Sequence, residues 1–247
     1  MNPPVSSITR KAFLLHYGIG EIEKYQIGSD LGLVKAFLTS VEGGCFTDEE
    51  IVDISSNQLD KADLIAAIDS VDYSFIYFAG HSHFEQRLIY IPLKNEQFIK
   101  ESELVRSGKK QWIFLDTCRS NDIPPKSTEF LIANNFSRFS IPFEEAKMNW
   151  LNHIAELNPF YLICYTTELG GTAYSNEGGG FGTQLFFSIM HEQLLKLGNT
   201  NLTSIAEDCK SNGYNIDQRM NYINGNASLN CVPFVFRTYM PSPLLDQ

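Results

Sequence analysis

The chain has 247 residues, 43% of them hydrophobic and 19% charged, which is enough apolar material for one large core. Nineteen basic against 29 acidic residues give a formal net charge of −10. With no basic cluster present, a nucleic-acid partner is excluded, and with no apolar run of spanning length, so is a membrane span.

In chain order, Ala12–His16 reads as a first strand ended by Gly18 and Gly20. A helix is expected from about Ser29, with Leu31, Val34 and Leu38 on one face and Gly43-Gly44 stopping it. Ile51–Ile54 reads as a second strand, and Asp60 as the cap of a helix carrying Leu64, Ala67 and Ile68. Phe75-Ile76-Tyr77-Phe78 is a third strand, Leu88–Pro92 a small hairpin, and Gln97–Ser107 a helix leading into the strand Trp112-Ile113-Phe114-Leu115. Residues 119–157 show no periodicity and read as a long connector. Then come a strand at Phe160–Tyr165, a helix after Gly178-Gly179-Gly180, a helix near 202–211 and a last strand near Pro233–Phe236. Pro233 would discourage edge pairing there, which leans towards a monomer.

This β-α-β-α order specifies an α/β fold, a central, mostly parallel six-stranded sheet flanked by helices. It is read as one domain over residues 1–247, with a first part at about 10–120, the connector at about 121–157 and a second part at about 158–240. The five cysteines, at 45, 118, 164, 209 and 231, form no CxxC pair, so no metal site is assigned. The polar segment Met1–Arg10 and the short run after it do not read as a signal peptide, and a cytoplasmic protein with reduced thiols is expected.

Two of the apolar runs end in reactive side chains, Phe78-Ala79-Gly80-His81 and, 37 residues later, Leu115-Asp116-Thr117-Cys118-Arg119. Reactive groups in open parallel sheets gather at the carboxyl ends of strands, so an imidazole and a thiol are expected at one edge, as a cysteine nucleophile with a histidine base requires. The competing reading, two unrelated buried residues, is the commoner case for any single Cys/His pair. Cys164, on a buried strand, reads as a core residue, and His83 as an exposed or loop-packing one. A catalytic Cys118 is expected to have a lowered thiol pKa and to label faster than the other four cysteines.

Phe78-Ala79-Gly80-His81-Ser82-His83 and Asp116-Thr117-Cys118-Arg119-Ser120 resemble the two catalytic motifs of the caspase–metacaspase superfamily. The likeness extends through Lys11–Gly18, the Asp30 helix and Gly171-Thr172-Ala173-Tyr174…Gly180-Phe181, and covers roughly residues 10–238. An aspartate two residues before the cysteine is closer to the metacaspase pattern than to the caspase signature, which has glutamine there. The resemblance implies a thiol endopeptidase with a Cys118/His81 dyad working through a thioester acyl-enzyme. Backbone N–H groups of Gly80 and Cys118 receive the oxyanion, and no third acid is assigned.

The resemblance also bears on specificity. Caspases cleave after aspartate using arginines, yet this chain has no arginine between Arg138 and Arg219. Metacaspases use an acidic S1 pocket, and its two aspartates correspond here to Asp30 and Asp116; the usual serine two before the histidine is Ala79. The expected substrate is therefore a protein or peptide with Arg or Lys at P1. For Asp30 the competing role is a charge at a helix N-terminus; for Asp116, an acceptor that holds the catalytic loop. Arg119 is read as structural. Glu168 and Glu177 border the expected cleft, and calcium activation, common in metacaspases, stays open. Lys126, Arg138 and Lys147 are candidate self-cleavage points in the connector. Regulation would come from a protein partner or from the chain's own loops. Alternatives are a catalytically silent caspase-like scaffold or partner-activated interaction module, and a legumain-like or gingipain-like clan relative with different P1 specificity.

Overall fold

The computed structural model describes residues 8–119, 142–176, 178–197, 202–212 and 217–222. The chain enters on β1 (Arg10–Tyr17) and passes through α1 (Glu21–Thr39) to β2 (Ile51–Ser55), then through α2 (Lys61–Asp69) to β3 (Tyr73–Gly80). Three short strands follow, β4 (His83–Glu85), β5 (Leu88–Pro92) and β6 (Phe98–Lys100), then α3 (Glu101–Leu104) and β7 (Lys110–Asp116). After α4 (Phe143–Glu156) and β8 (Phe160–Tyr165) come β9 (Ser175–Asn176), β10 (Gly179–Gly180), α5 (Phe181–Leu197), α6 (Leu202–Ser211) and β11 (Asp217–Tyr222).

Six strands form the central sheet in the order β11-β8-β7-β3-β1-β2. All neighbours pair in parallel except β11, which runs antiparallel to β8. Helices cover both faces, so the inner strands are apolar throughout instead of alternating. Residue parity decides which face each side chain takes. Phe75, Tyr77, Ala79, Trp112 and Phe114 pack with Ile27, Leu31, Val34 and Leu38 of α1 and Phe186 and Met190 of α5. Phe13, Ile76, Phe78, Ile113 and Leu115 pack with Leu64 and Ile68 of α2 on the other face. The ring of Phe114 meets that of Phe186 edge-on, with centroids 4.9 Å apart. Burying one such ring contributes roughly 1.5–3 kcal/mol.

The sequence-predicted strands β1, β2, β3, β7 and β8 form where expected, as do α2, α5 and α6. Asp60 caps α2 by accepting the Ala62 N–H at 2.9 Å. Four differences have physical causes. Helix α1 begins at Glu21, not near Ser29; Gly28 and Gly32 lower its intrinsic propensity, but the buried stripe starts already at Ile27. The helix expected at Gln97–Ser107 is instead β6 followed by the single turn α3, because Phe98 and Lys100 face solvent while Ile99 is buried, a period of two. The second part of the expected connector folds as α4, whose Ala146, Trp150 and Ile154 are spaced four apart and buried. Trp150 donates its indole N–H to the Val41 carbonyl at 3.0 Å, and Lys110 donates to the Ile154 carbonyl at the end of the same helix. Strand β11 was not expected; the strand near Pro233–Phe236 lies outside the described residues.

Lys147 sits within α4, 3.7 Å from Glu50, which makes it a poor point for self-cleavage. Lys126 and Arg138 lie outside the described residues.

Candidate active site

Strands β1, β3 and β7 end side by side at Tyr17, Gly80 and Asp116, and the turns after β3 and β7 carry His81 and Cys118. The His81 N–H donates to the Tyr17 carbonyl at 3.0 Å, which fixes the histidine's backbone to the end of β1. Thr117 donates its hydroxyl to the Gly80 carbonyl at 2.6 Å and lies 2.7 Å from the Ser82 hydroxyl. The turn bearing His81 is thus bonded to the turn bearing Cys118. Gly80 has φ +124°, and a Cβ there would fall on the Tyr17 carbonyl oxygen that His81 uses.

Cys118 is half-buried, and its Sγ accepts the Ala173 N–H at 3.3 Å and lies 3.9 Å from the Ala173 carbonyl. Burial pushes its thiol pKa up, and the nearby Asp116 adds to this, while the Ala173 N–H pulls the other way. The sequence-based expectation of a lowered pKa is therefore corrected: an apolar, carboxylate-flanked setting disfavours the thiolate. Among the described cysteines, Cys45, Cys164 and Cys209 are fully buried, with thiols pushed to about 11, about 12 and about 12. Accessibility thus still favours Cys118. Limited iodoacetamide labelling followed by peptide mass mapping is expected to modify Cys118 at least about tenfold faster than those three. Faster modification of any of them would contradict this picture of the site.

The His81 side chain is about half exposed, and its Nε2 lies 3.0 Å from Oε1 of Glu23 in the first turn of α1. Glu23 is the one member of this cluster that the sequence reading did not single out. A glutamate three residues after Gly20 signals a helix start, which is a local inference; its partner 58 residues later (81 − 23) has no sequence signature.

Asp30 and Asp116 converge on the Cα of Gly180. Asp116 continues the parity of Trp112 and Phe114, so its side chain leaves β7 towards α1 and α5. Asp30 lies in the buried stripe of α1, between Ile27 and Val34, and is 3% exposed; Asp116 is 5% exposed. Both oxygens of Asp30 accept the Gly180 N–H, at 2.7 and 2.8 Å. Asp116 accepts from the Thr166 hydroxyl at 2.6 Å, from the Thr183 N–H at 3.1 Å and from the Thr183 hydroxyl. A Cβ on Gly180 would meet Asp116 Oδ2 and Asp30 Oδ2 together. Burial, then the Asp116 charge, push Asp30 well above the usual carboxylate range, and burial raises Asp116 as well. No Lys or Arg among the described residues contributes to either group. The helix-terminus reading of Asp30 is overturned, since nine residues of α1 precede it (30 − 21).

Arg119 is 1% exposed, stacks over the Tyr165 ring at 4.0 Å and donates to the Thr167 carbonyl, which is a structural placement. His83 is exposed on β4, with its ring 5.9 Å from that of Tyr90. Glu168 is exposed and opens the turn that its carbonyl closes by accepting the Gly171 N–H at 2.8 Å, and Glu177 lies outside the described residues. Among the described residues, no three His, Cys, Asp or Glu side chains converge as a metal site, and no helix is long and apolar enough to cross a membrane.

No protein-family model matches the chain. No curated protein matches it either. Solved structures do. The crystal structure of caspase-1 from Spodoptera frugiperda superposes with a TM-score of 0.50 at 13% identity, covering 90% of this chain and 91% of that one. A crystal structure of a Geobacter sulfurreducens protein gives a TM-score of 0.54 at 11% identity, covering 91% and 98%. With the mostly parallel sheet and its flanking helices, these likenesses show that the chain has the caspase-like fold.

Proposed function

We propose that the protein is a cysteine endopeptidase that cleaves after arginine or lysine. The observation that carries this reading is the pair of buried carboxylates, Asp30 and Asp116, with no cation among the described residues to offset them and with Asp116 two residues before Cys118 in the chain. Such a pair is costly to hold empty, and a substrate guanidinium or ammonium is the partner its charge calls for. One unit-charge pair at about 4 Å is worth about 4 kcal/mol at an effective dielectric near 20. An aspartate at P1 would meet repulsion of the same order.

The chemistry assigns Cys118 as nucleophile and His81 as acid and base. As Sγ bonds to the scissile carbonyl carbon, the thiol proton passes to His81, and the carbonyl π electrons move to oxygen. N–H directions alternate along a strand, so the His81 N–H spent on Tyr17 of β1 leaves the Gly80 N–H facing β7. With the Cys118 N–H, it would receive the oxyanion. Collapse breaks the C–N bond, and the proton on His81 goes to the departing amine, leaving a thioester that water then hydrolyses. The raised thiol pKa of Cys118 supports a dyad that ionises only as substrate docks.

The test is a fluorogenic peptide panel differing only at P1, run with wild type and Cys118→Ala, with and without calcium. Turnover after Arg or Lys that disappears in the mutant is the expected result. Turnover only after Asp would refute the acidic pocket. Absence of all turnover, in either buffer, would favour a caspase-like scaffold that binds partners without cleaving them.

A further inference from the structure

We infer that Glu23 is a third member of the site, a positioning residue that holds His81 by its Nε2–H. This rests on the peptidase reading of Cys118 and His81. The carboxylate is divided between two tasks. Its Oε2 accepts the Ile19 N–H at 2.9 Å and the Gly20 N–H at 3.1 Å, which pins it to the β1–α1 turn. Its Oε1 faces His81 Nε2 at 3.0 Å. The histidine's backbone is tied to the same turn through the Tyr17 carbonyl. Both ends of the contact are therefore anchored to one short segment, so the imidazole is oriented before substrate arrives.

The electrostatics agree with the geometry. Burial alone would raise the Glu23 carboxyl, but the bond to His81 and the two backbone N–H groups outweigh it and leave the group below its ordinary value. Glu23 is thus an anion at neutral pH. Because both side chains are roughly half exposed, the pair adds little to stability. Its consequence is orientation: with Nε2 committed to Glu23, Nδ1, which has no hydrogen-bond partner among the described residues, is the atom left to exchange protons with Cys118 and the leaving amine.

A purely structural role is separable. A glutamate at the third helical position can serve only to cap α1, and glutamine caps equally well. Glu23→Gln keeps the cap and removes the charge. The experiment compares full-length wild type, Glu23→Gln and His81→Ala by two readouts at pH 7. One is kcat and KM on an arginine-P1 peptide. The other is the rate of iodoacetamide alkylation at Cys118, in which the thiol proton passes to His81 as the S–C bond forms and iodide leaves. The expected result is an unchanged melting curve for Glu23→Gln, KM within about twofold, kcat lowered about tenfold or more and alkylation slowed about threefold, in the direction of His81→Ala. If Glu23→Gln matches wild type in both readouts while His81→Ala does not, Glu23 only caps the helix and the inference is overturned. If no variant turns over peptide but Glu23→Gln still slows alkylation, the peptidase reading falls and the positioning role stands. If neither substitution changes alkylation and nothing is cleaved, both fall.

Discussion

Asp30→Asn is expected to raise the melting temperature at pH 8 and, in the same protein, to cut cleavage after arginine by about 30- to 100-fold. Burial, followed by the Asp116 charge, holds the folded-state pKa of Asp30 well above that of the unfolded chain. The folded protein therefore binds this proton more tightly than the unfolded chain does. The stability that this contributes is fully present below the unfolded carboxyl pKa and is lost as pH rises through the folded one. As pH rises, wild type loses this contribution and meets the cost of a buried charge beside Asp116, whereas asparagine never ionises and still offers an oxygen to the Gly180 N–H. Each kcal/mol recovered should appear as roughly 2–4 °C. Calorimetry of both proteins at pH 4 and pH 8 would check this: the gap should open with rising pH, and a gap independent of pH would show that Asp30 is not the charged, raised group. The loss of activity should fall on arginine and lysine peptides alone, because it reflects a missing substrate contact. Recognition and stability oppose each other at this residue, as expected where a site is built to be completed by its ligand.

Gly80→Ala is the second large effect. The added Cβ would be placed against the Tyr17 carbonyl, a backbone atom with nowhere to retreat, at a φ of +124° that alanine does not tolerate. A destabilisation of about 3 kcal/mol or more follows from the strain and the clash together. Any fraction that folds must move the Tyr17 carbonyl, which also orients the His81 backbone, so turnover should fall further than stability explains. Gly108→Ala is the control. It too has positive φ, +75°, but nothing lies within 4 Å of its added Cβ, and its cost should stay near 1 kcal/mol. Chemical denaturation of the two variants decides the matter; equal costs would mean that the close approach at Gly80 is unimportant.

How far the sequence could be read depended on how local each signal was. The inner strands were legible because Phe75–Phe78 and Trp112–Leu115 are short, rich in aromatic and β-branched residues, and followed by turn signals. Asp30 and Asp116 were singled out by the resemblance to the metacaspase motifs and not by spacing; that a helix stripe and a strand face bury both carboxylates is seen only in the fold. Helix α4 was missed because Phe143 and Met148 are exposed apolar residues that blur the spacing of Ala146, Trp150 and Ile154. The start of α1 was misread because Gly28 and Gly32 argue against a helix locally, and only burial of Ile27 against the sheet overrides them. Glu23 could not be found at all. Its first set of bonds is local, but its contact with His81 crosses from the first helix to the third strand's end, a distance that only folding closes.

The pairing of β3 with β7, which sets Ala79 opposite Asp116, has one more consequence. A slip by a single residue would turn Asp116 to the face of Ile113 and Leu115, away from the Thr166 and Thr183 donors that hold it. The misregistered chain would bury this carboxylate without the three hydrogen bonds it accepts in the native register. The carboxylate proposed to read the substrate thereby also checks the register of the sheet, since a slipped chain would be penalised by its own instability.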